Sequence, residues 1–458
     1  MSCIDGGSLK EVVCNQKTDT SVKTALQPLH VESHLGHGLN HALEKIHVVS
    51  KDFIIVVRAN GVAELVRTTS SPKEYPEDKP EESKSEEDKK ATEEIAVEFP
   101  EFDITSFEIV DMVTGLLDDT RLEPLYKDSK KRTKLVDGFV TLVPLPNKLN
   151  TYFLASKSGL VHIITHNRKS NKLIKETTLE VKAPLEFAQL YDLGKKFKNY
   201  VFGYGGEENL VKLVELSFDF SKLTQIWEAK NVKNDRLDMR VPIWPIGLKF
   251  LGPLKSDKID KNKLNYQFLV MTRYSHLGKY KTQHGMRPVE YKQLSSDCEP
   301  LSNLELIGED ITELGNAKVD NFSDISFITT DTRKDVLKYS HDGRLLFKYG
   351  KSDIVGAPTF VSIYNNQYLL EGGLDRYLRV YDIAKNIRIA KVYVGSKINF
   401  IAMVDGEDVE MPLTEAERKK AVKLAKRKFD PEEEEEDAEQ LWDQLENKMS
   451  KKQMRSKN

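Results

Sequence analysis

Apolar residues in this chain come in short runs broken by turn chemistry, not in long stripes of helical period. The clearest case is QYLLEGGLDRYLRVYDI, residues 367–383. The run Tyr368-Leu369-Leu370 meets Gly372-Gly373-Leu374-Asp375, and Tyr377 to Tyr381 then reads as a second strand rich in aromatic and β-branched residues. Paired glycines there are expected to supply positive φ at the turn, and Asp375 to hydrogen-bond turn backbone. The run closes on Tyr381-Asp382, an aromatic residue followed by an acid at the end of the second strand.

The same pattern recurs. Hairpins are predicted at 52–66 around Asn60-Gly61, at 151–164 around Lys157-Ser158-Gly159, and at 200–216 around Gly205-Gly206. Weaker copies fall at 265–280 and 324–340, and residues 1–14 open the chain inside another. Gly205-Gly206 precede Gly372-Gly373 by 167 positions, and at that offset Glu208, Lys212 and Glu215 match Asp375, Arg379 and Asp382. The spacing reads as four blade lengths of about 42 residues each.

Seven hairpins predict an all-β, seven-bladed WD-repeat propeller over residues 1–409. Strand 387–394 finishes the last blade, and 399–405 is surplus unless it joins the blade begun at residue 1. Closure by both termini hides edges that an open sheet exposes. A β-sandwich or a pair of β domains is the competing architecture, and regular recurrence argues against it. Residues 21–47 read as partly helical or looped.

Two stretches depart from the pattern. Residues 68–100 are expected to be a disordered acidic insertion, since 72–98 carry 11 acidic side chains against 5 basic ones and little to bury. From 410 to 458 a charged tail is expected: a basic helix-prone block, an acidic run at 430–439, a short amphipathic segment QLWDQLENK and a basic end. Its cations Arg418, Lys419, Lys420, Lys423, Lys426, Arg427 and Lys428 fit an import signal, against the plainer reading of a solvated helix.

Three cysteines without CxxC spacing fit a reducing compartment and argue against a zinc ribbon. His30, His34, His37, His41 and His47 cluster, but Gly36 and Gly38 interrupt any helix that would align them, so no metal site is assigned. The run Gly203-Tyr204-Gly205-Gly206 precedes a strand, where a phosphate cradle needs a helix. No catalytic constellation and no cofactor site is read, so the chain is taken as a non-enzyme.

Basic segments with interleaved aromatics remain. Residues 227–244 carry Lys230, Lys233, Arg236 and Arg240; residues 272–288 carry Arg273, Lys279, Lys281 and Arg287; residues 129–134 carry Lys131 and Arg132. Such side chains neutralise phosphates while aromatics stack on splayed bases, or they lie on a solvated, ion-paired face.

The stretches RTKLVDGFVTL (132–142), YGGEENLVKLVE (204–215), WEAKNVKNDRLDMRVPIWP (227–245), GGLDRYLRVYDI (372–383) and VYVGSKINFI (392–401) resemble the fungal Nop-seven-associated protein one family of WD-repeat ribosome-assembly factors. The likeness runs from residue 1 to the tail. It implies a seven-bladed propeller in the nucleolus, on early large-subunit precursors, contacting pre-ribosomal RNA and neighbouring assembly factors. It further implies release by an AAA-type ATPase; no apolar run approaches the roughly 18 residues of a membrane helix, so no membrane is expected, and the chain is taken as a monomer within the particle. The runner-up is a propeller adaptor for protein partners alone.

Overall fold

The structure is a computed structural model that describes residues 2–4, 7–36, 38, 41–75, 100–126, 136–193, 198–234, 236–255, 259–260 and 262–411. It divides into a unit of residues 1–71 and 104–408 and a smaller unit of residues 72–103 and 409–458.

The first unit is a WD40 β-propeller. Among the described residues, six four-stranded antiparallel sheets each use consecutive strands. They are β4 (Leu43–Val48) to β7 (Asp103–Val113), with β5 (Phe53–Arg58) and β6 (Val62–Pro72) between; and β8 (Phe139–Pro144), β9 (Thr151–Ser156), β10 (Leu160–Asn167) and β11 (Lys172–Glu180). Next come β12 (Phe187–Leu190), β13 (Tyr200–Gly206), β14 (Asn209–Leu216) and β15 (Leu223–Glu228); then β16 (Pro245–Leu251), β17 (Gln267–Thr272), β18 (His276–Lys281) and β19 (Glu290–Gln293). The last two are β20 (Glu305–Ile307), β21 (Ser326–Thr330), β22 (Val336–Ser340) and β23 (Leu345–Tyr349), and β24 (Pro358–Tyr364), β25 (Tyr368–Gly373), β26 (Tyr377–Asp382) and β27 (Ile387–Tyr393).

A seventh sheet is assembled from both ends of the chain. β28 (Phe400–Ala402) pairs with β1 (Ser2–Ile4), in register Ser2 with Ala402 and Ile4 with Phe400, and β2 (Leu9–Val13) and β3 (His30–His34) follow. Packing closes the ring. Among the described residues, seven apolar clusters each lie between two neighbouring sheets: Phe153 meets Phe202 at 5.0 Å, Val12 joins Leu370, Val392 and Ile401, and Leu9 joins Leu43, Ile54 and Val56. The composite sheet thus packs on both its neighbours, and burial on two faces explains the near-continuous apolar runs of the central strands.

Several expectations are corrected. The described residues of 21–47 are connecting loop at 21–29, as read, but they also supply β3 and β4 in place of helix. The 167-residue offset spans three sheet-to-sheet steps, from the β12–β15 sheet to the β24–β27 sheet, because connections such as 229–244 and 308–325 lengthen each step. Gly372 and Gly373 do not have positive φ; Arg376 does, at 66°. The glycines are required by close approach, since a Cβ on Gly372 would lie 2.6 Å from Ile398 Cγ2. β6 continues to Pro72, so residues 68–72 are strand and not inserted loop. Gly61 and Gly159 do take positive φ, 78° and 85°, at the turns read from sequence.

Buried ion pairs tie the last sheet to the first. Arg379, fully buried, donates to Glu371 (2.9 Å), Asp375 (2.6 Å) and Asp353 (3.2 Å). Asp353 also receives Arg388 and Lys391, and Arg388 reaches Asp19. Residues 17–20 run along the outer edge of β27, with Lys17 N–H donating to Ile389 O (2.7 Å) and Lys391 N–H to Thr18 O (2.9 Å). Asp382 accepts from Lys385 N–H at 2.8 Å, so both aspartates of the opening hairpin hold turns and strands.

In the smaller unit, Lys73 N–H donates to Phe102 O (3.0 Å) and the Tyr75 hydroxyl to Pro100 O (2.8 Å).

Candidate nucleic-acid interface

The connection from β15 to β16, residues 229–244, starts and ends on buried residues. Trp227 packs edge-on against Phe268 (5.5 Å) and Tyr280 (6.0 Å), which fixes the entry. Ala229 N–H donates to Val211 O (2.8 Å); at the exit Ile243 is buried and its carbonyl accepts from Glu208 N–H (2.9 Å). Between these anchors the loop bonds itself. Asn231 Nδ2 donates to Val241 O (2.8 Å), and Asn234 Nδ2 to Asp238 Oδ1 (2.9 Å). Asp238 takes φ 60°, a conformation that Asp tolerates better than most residues.

This loop joins the second basic segment. Lys230 N–H donates to Met286 O (2.8 Å) and Arg287 Nε to Asn231 O (3.0 Å). Lys230, Lys233, Arg236, Arg240 and Arg287 are all exposed on this platform. Arg240 pairs with Glu208 at 2.7 Å, both partners in solvent, a pairing worth well under about 1 kcal/mol and readily exchanged for a phosphate.

The other predicted cations are placed differently. Lys279 is buried, paired with Glu290 at 2.6 Å and 5.8 Å from the Phe322 ring, which leaves it unavailable to an external anion. Lys281 is half-buried over the same ring (5.6 Å). Arg273 stacks on Trp244 at 5.5 Å, and Trp244 meets Tyr274 edge-on at 6.3 Å. Lys131, Arg132 and the tail cations from Arg418 to Lys428 lie outside the described residues.

Sequence reading missed the apolar part of the platform: Leu237 is 76% exposed, and Met239, Met286 and Val289 are also exposed. The only signal was their presence in segments singled out for charge.

The channel at the centre of the ring holds a cavity of about 690 Å³ lined by Lys45, His47, Gln189, Lys249, Glu305 and the 311–315 loop. That loop is fastened across it: Gln189 donates to Leu314 O (2.8 Å), and Asn316 Nδ2 to Leu190 O (2.8 Å) and Asp192 (2.7 Å). Lys249 is occupied by Glu305 at 2.9 Å. Burial lowers the His47 imidazole to about 4 and also lowers Lys45, shifts that come from desolvation and not from a positioned acid–base partner. Among the described residues no His, Cys, Asp and Glu group is arranged to hold a metal; His30 and His34 sit on β3 near Glu11 and Glu32 instead of on a helix face.

Sheets of four antiparallel strands, joined serially and closed by both ends, define a WD40-class propeller with an exposed cationic loop platform. No family model matches the chain. It is 60% identical over 412 residues to ribosome biogenesis protein NSA1 of Vanderwaltozyma polyspora, covering 90% of this chain and 89% of that one. It is 49% identical over 463 residues to the Saccharomyces cerevisiae protein of that name (98% and 97% covered) and 26% over 417 residues to that of Yarrowia lipolytica (88% and 86%). Similar solved structures include Saccharomyces cerevisiae Sqt1 (TM-score 0.46, 9% identity, 81% of this chain and 91% of that one) and the WD40 propeller of Doa1 (0.44, 8%, 78% and 85%). The chain belongs to the NSA1 family of ribosome biogenesis proteins, the family its loops resemble.

Proposed function

We propose that the chain is a non-enzymatic scaffold of large-subunit ribosome biogenesis. It binds pre-ribosomal RNA and neighbouring assembly factors on nucleolar precursor particles, as a monomer, and an AAA-type ATPase removes it. The propeller, residues 1–409, carries the binding loops; the tail, residues 410–458, carries the import signal at 418–428. The observation behind RNA contact is the joining of two chain segments into one platform bearing Lys230, Lys233, Arg236, Arg240 and Arg287. Each cation that meets a phosphate releases counterions, so affinity falls with salt. The experiment is Arg236→Glu with Arg240→Glu. The domain should stay folded, the particle-bound fraction should fall several-fold, and the salt slope on a single-stranded RNA fragment should lessen by about 0.7 per lost contact. Normal co-sedimentation of the folded variant with large-subunit precursors would refute the assignment.

A second reading, an adaptor for proteins alone, draws on the exposed Leu237, Met239 and Met286 of the same platform. Cross-linking to RNA in cells separates the two, because the adaptor makes no RNA cross-links at 229–244. Deleting 415–458 should reduce nucleolar accumulation; unchanged imaging would sink the import role.

A further inference from the structure

The outermost strand of each sheet has one strand neighbour, and its far edge offers backbone N–H and C=O groups to any extended chain. Several of these edges are blunted by polar side chains: β3 reads HVESH, β19 EYKQ and β11 KLIKETTLE. β27 is covered in cis by residues 17–20. β23 follows neither pattern. It reads LLFKY, its one strand partner among the described residues is β22, and Leu345, Leu346 and Phe347 are 51%, 45% and 36% exposed. The register shifts where Leu346 falls, between the pairs Phe347 with Lys338 and Leu345 with Tyr339, which is why three successive apolar side chains reach solvent.

A pocket of about 230 Å³ continues from the end of this edge, lined by Phe347, Tyr349, Tyr381, Asn386 and Arg388 among others. The Tyr381 hydroxyl is buried there without a hydrogen-bond partner among the described groups, whereas the Tyr349 hydroxyl donates to Asn386 Oδ1 at 2.9 Å. An orphaned buried hydroxyl is costly unless something completes it. Burial raises the Tyr381 phenol far above its ordinary range, so it is a neutral donor.

We propose that β23 is a docking edge for an extended segment of a partner protein, which adds as a fifth strand, lays apolar side chains over Leu345 and Phe347, and places a neutral acceptor, a carboxamide or backbone carbonyl, against the Tyr381 hydroxyl. Arg344 and Lys351 bracket the edge, both exposed and both outside the ion pairs of the described residues. β23 spans five residues, four steps at about 3.3 Å or roughly 13 Å, so the segment is a strand of about five residues, acidic at its ends. RNA fits poorly. The cations nearest the pocket are already held, Arg388 by Asp19 and Asp353 and Lys348 by Asp335, so a phosphate would meet carboxylates. The site is separate from the 229–244 platform, and loss of RNA contact there leaves it intact.

Photoreactive benzoylphenylalanine at Leu346 of the full chain, irradiated in cells, should cross-link one protein segment with alternating apolar residues and flanking acids. A synthetic peptide of that segment, titrated against the purified chain by fluorescence anisotropy, should bind at least 30-fold more weakly to Leu345→Glu/Phe347→Glu and about 3- to 10-fold more weakly to Tyr381→Phe. Leu149→Glu, at an exposed position elsewhere, should bind as the parent does. Cross-links to RNA alone, no protein cross-link, or equal peptide affinity in the folded Leu345→Glu/Phe347→Glu variant would each overturn the proposal.

Discussion

Arg379→Ala is the most informative single substitution in the propeller. The guanidinium is fully buried among Glu371, Asp375 and Asp353. Removing one partner of a buried pair usually costs about 3–5 kcal/mol, because the other charge is left behind. Two features put the expected loss near the lower bound, about 3 kcal/mol. Asp353 keeps Arg388 and Lys391, and Glu371 can take up a proton, since burial already pushes its carboxyl up to about 7 against the pull of Arg379. Urea unfolding of the full chain should show a lower midpoint at unchanged slope. Glu371→Leu combined with Arg379→Met replaces the pair by apolar groups of similar size and should recover most of that loss. A cost below about 1 kcal/mol for Arg379→Ala, or no recovery in the double variant, would refute the view of Arg379 as the charge on which this sheet depends.

Three further outcomes are expected. His47 is held neutral by burial, so its folded value near 4 lies below the ordinary 6.5. Stability should be intact above pH 6.5 and fall as pH drops toward 4, by at most roughly 3 kcal/mol, with the loss flattened in His47→Gln; denaturant titration across that range checks it. Gly372→Ala sets a methyl 2.6 Å from the buried Ile398 and should cost about 1–3 kcal/mol in the same assay. Asp19→Ala removes one of the two carboxylate partners of Arg388 and should speed amide exchange at Thr20 and Lys391 along β27 while changing global stability by under about 1 kcal/mol.

The paired central strands were readable because both faces of each are covered by neighbouring sheets. YVFGYGG and FIIVVR are apolar almost throughout, and turns such as Asn60-Gly61 punctuate them. Outer strands were not. HVESH has its outer edge in solvent and carries no alternation to detect, so residues 21–47 read as helix or loop. The 167-residue echo gave the correct pairing of hairpins, with Lys212 opposite Tyr204 as Arg379 is opposite Glu371, but the wrong number of steps, because connection length leaves no periodic trace. At the platform, the cations of 227–244 were visible as composition. Their union with Arg287 rests on backbone bonds such as Lys230 to Met286, which no local pattern encodes. Lys279 looked available because it lies in a basic segment with interleaved aromatics, yet β18 is an interior strand and Leu277 to Tyr280 are all buried.

The pairing of Ser2 with Ala402 sets a timetable for synthesis. At about 5–20 residues per second, roughly 20–80 s pass between the emergence of β1 and that of β28. During that interval six sheets can form in order, while β1 to β3 wait with the edge that β28 will take still open. The first sheet begun is therefore the last completed. A chain interrupted between residues 394 and 400 would keep its other hairpins and lose the latch that makes them a ring.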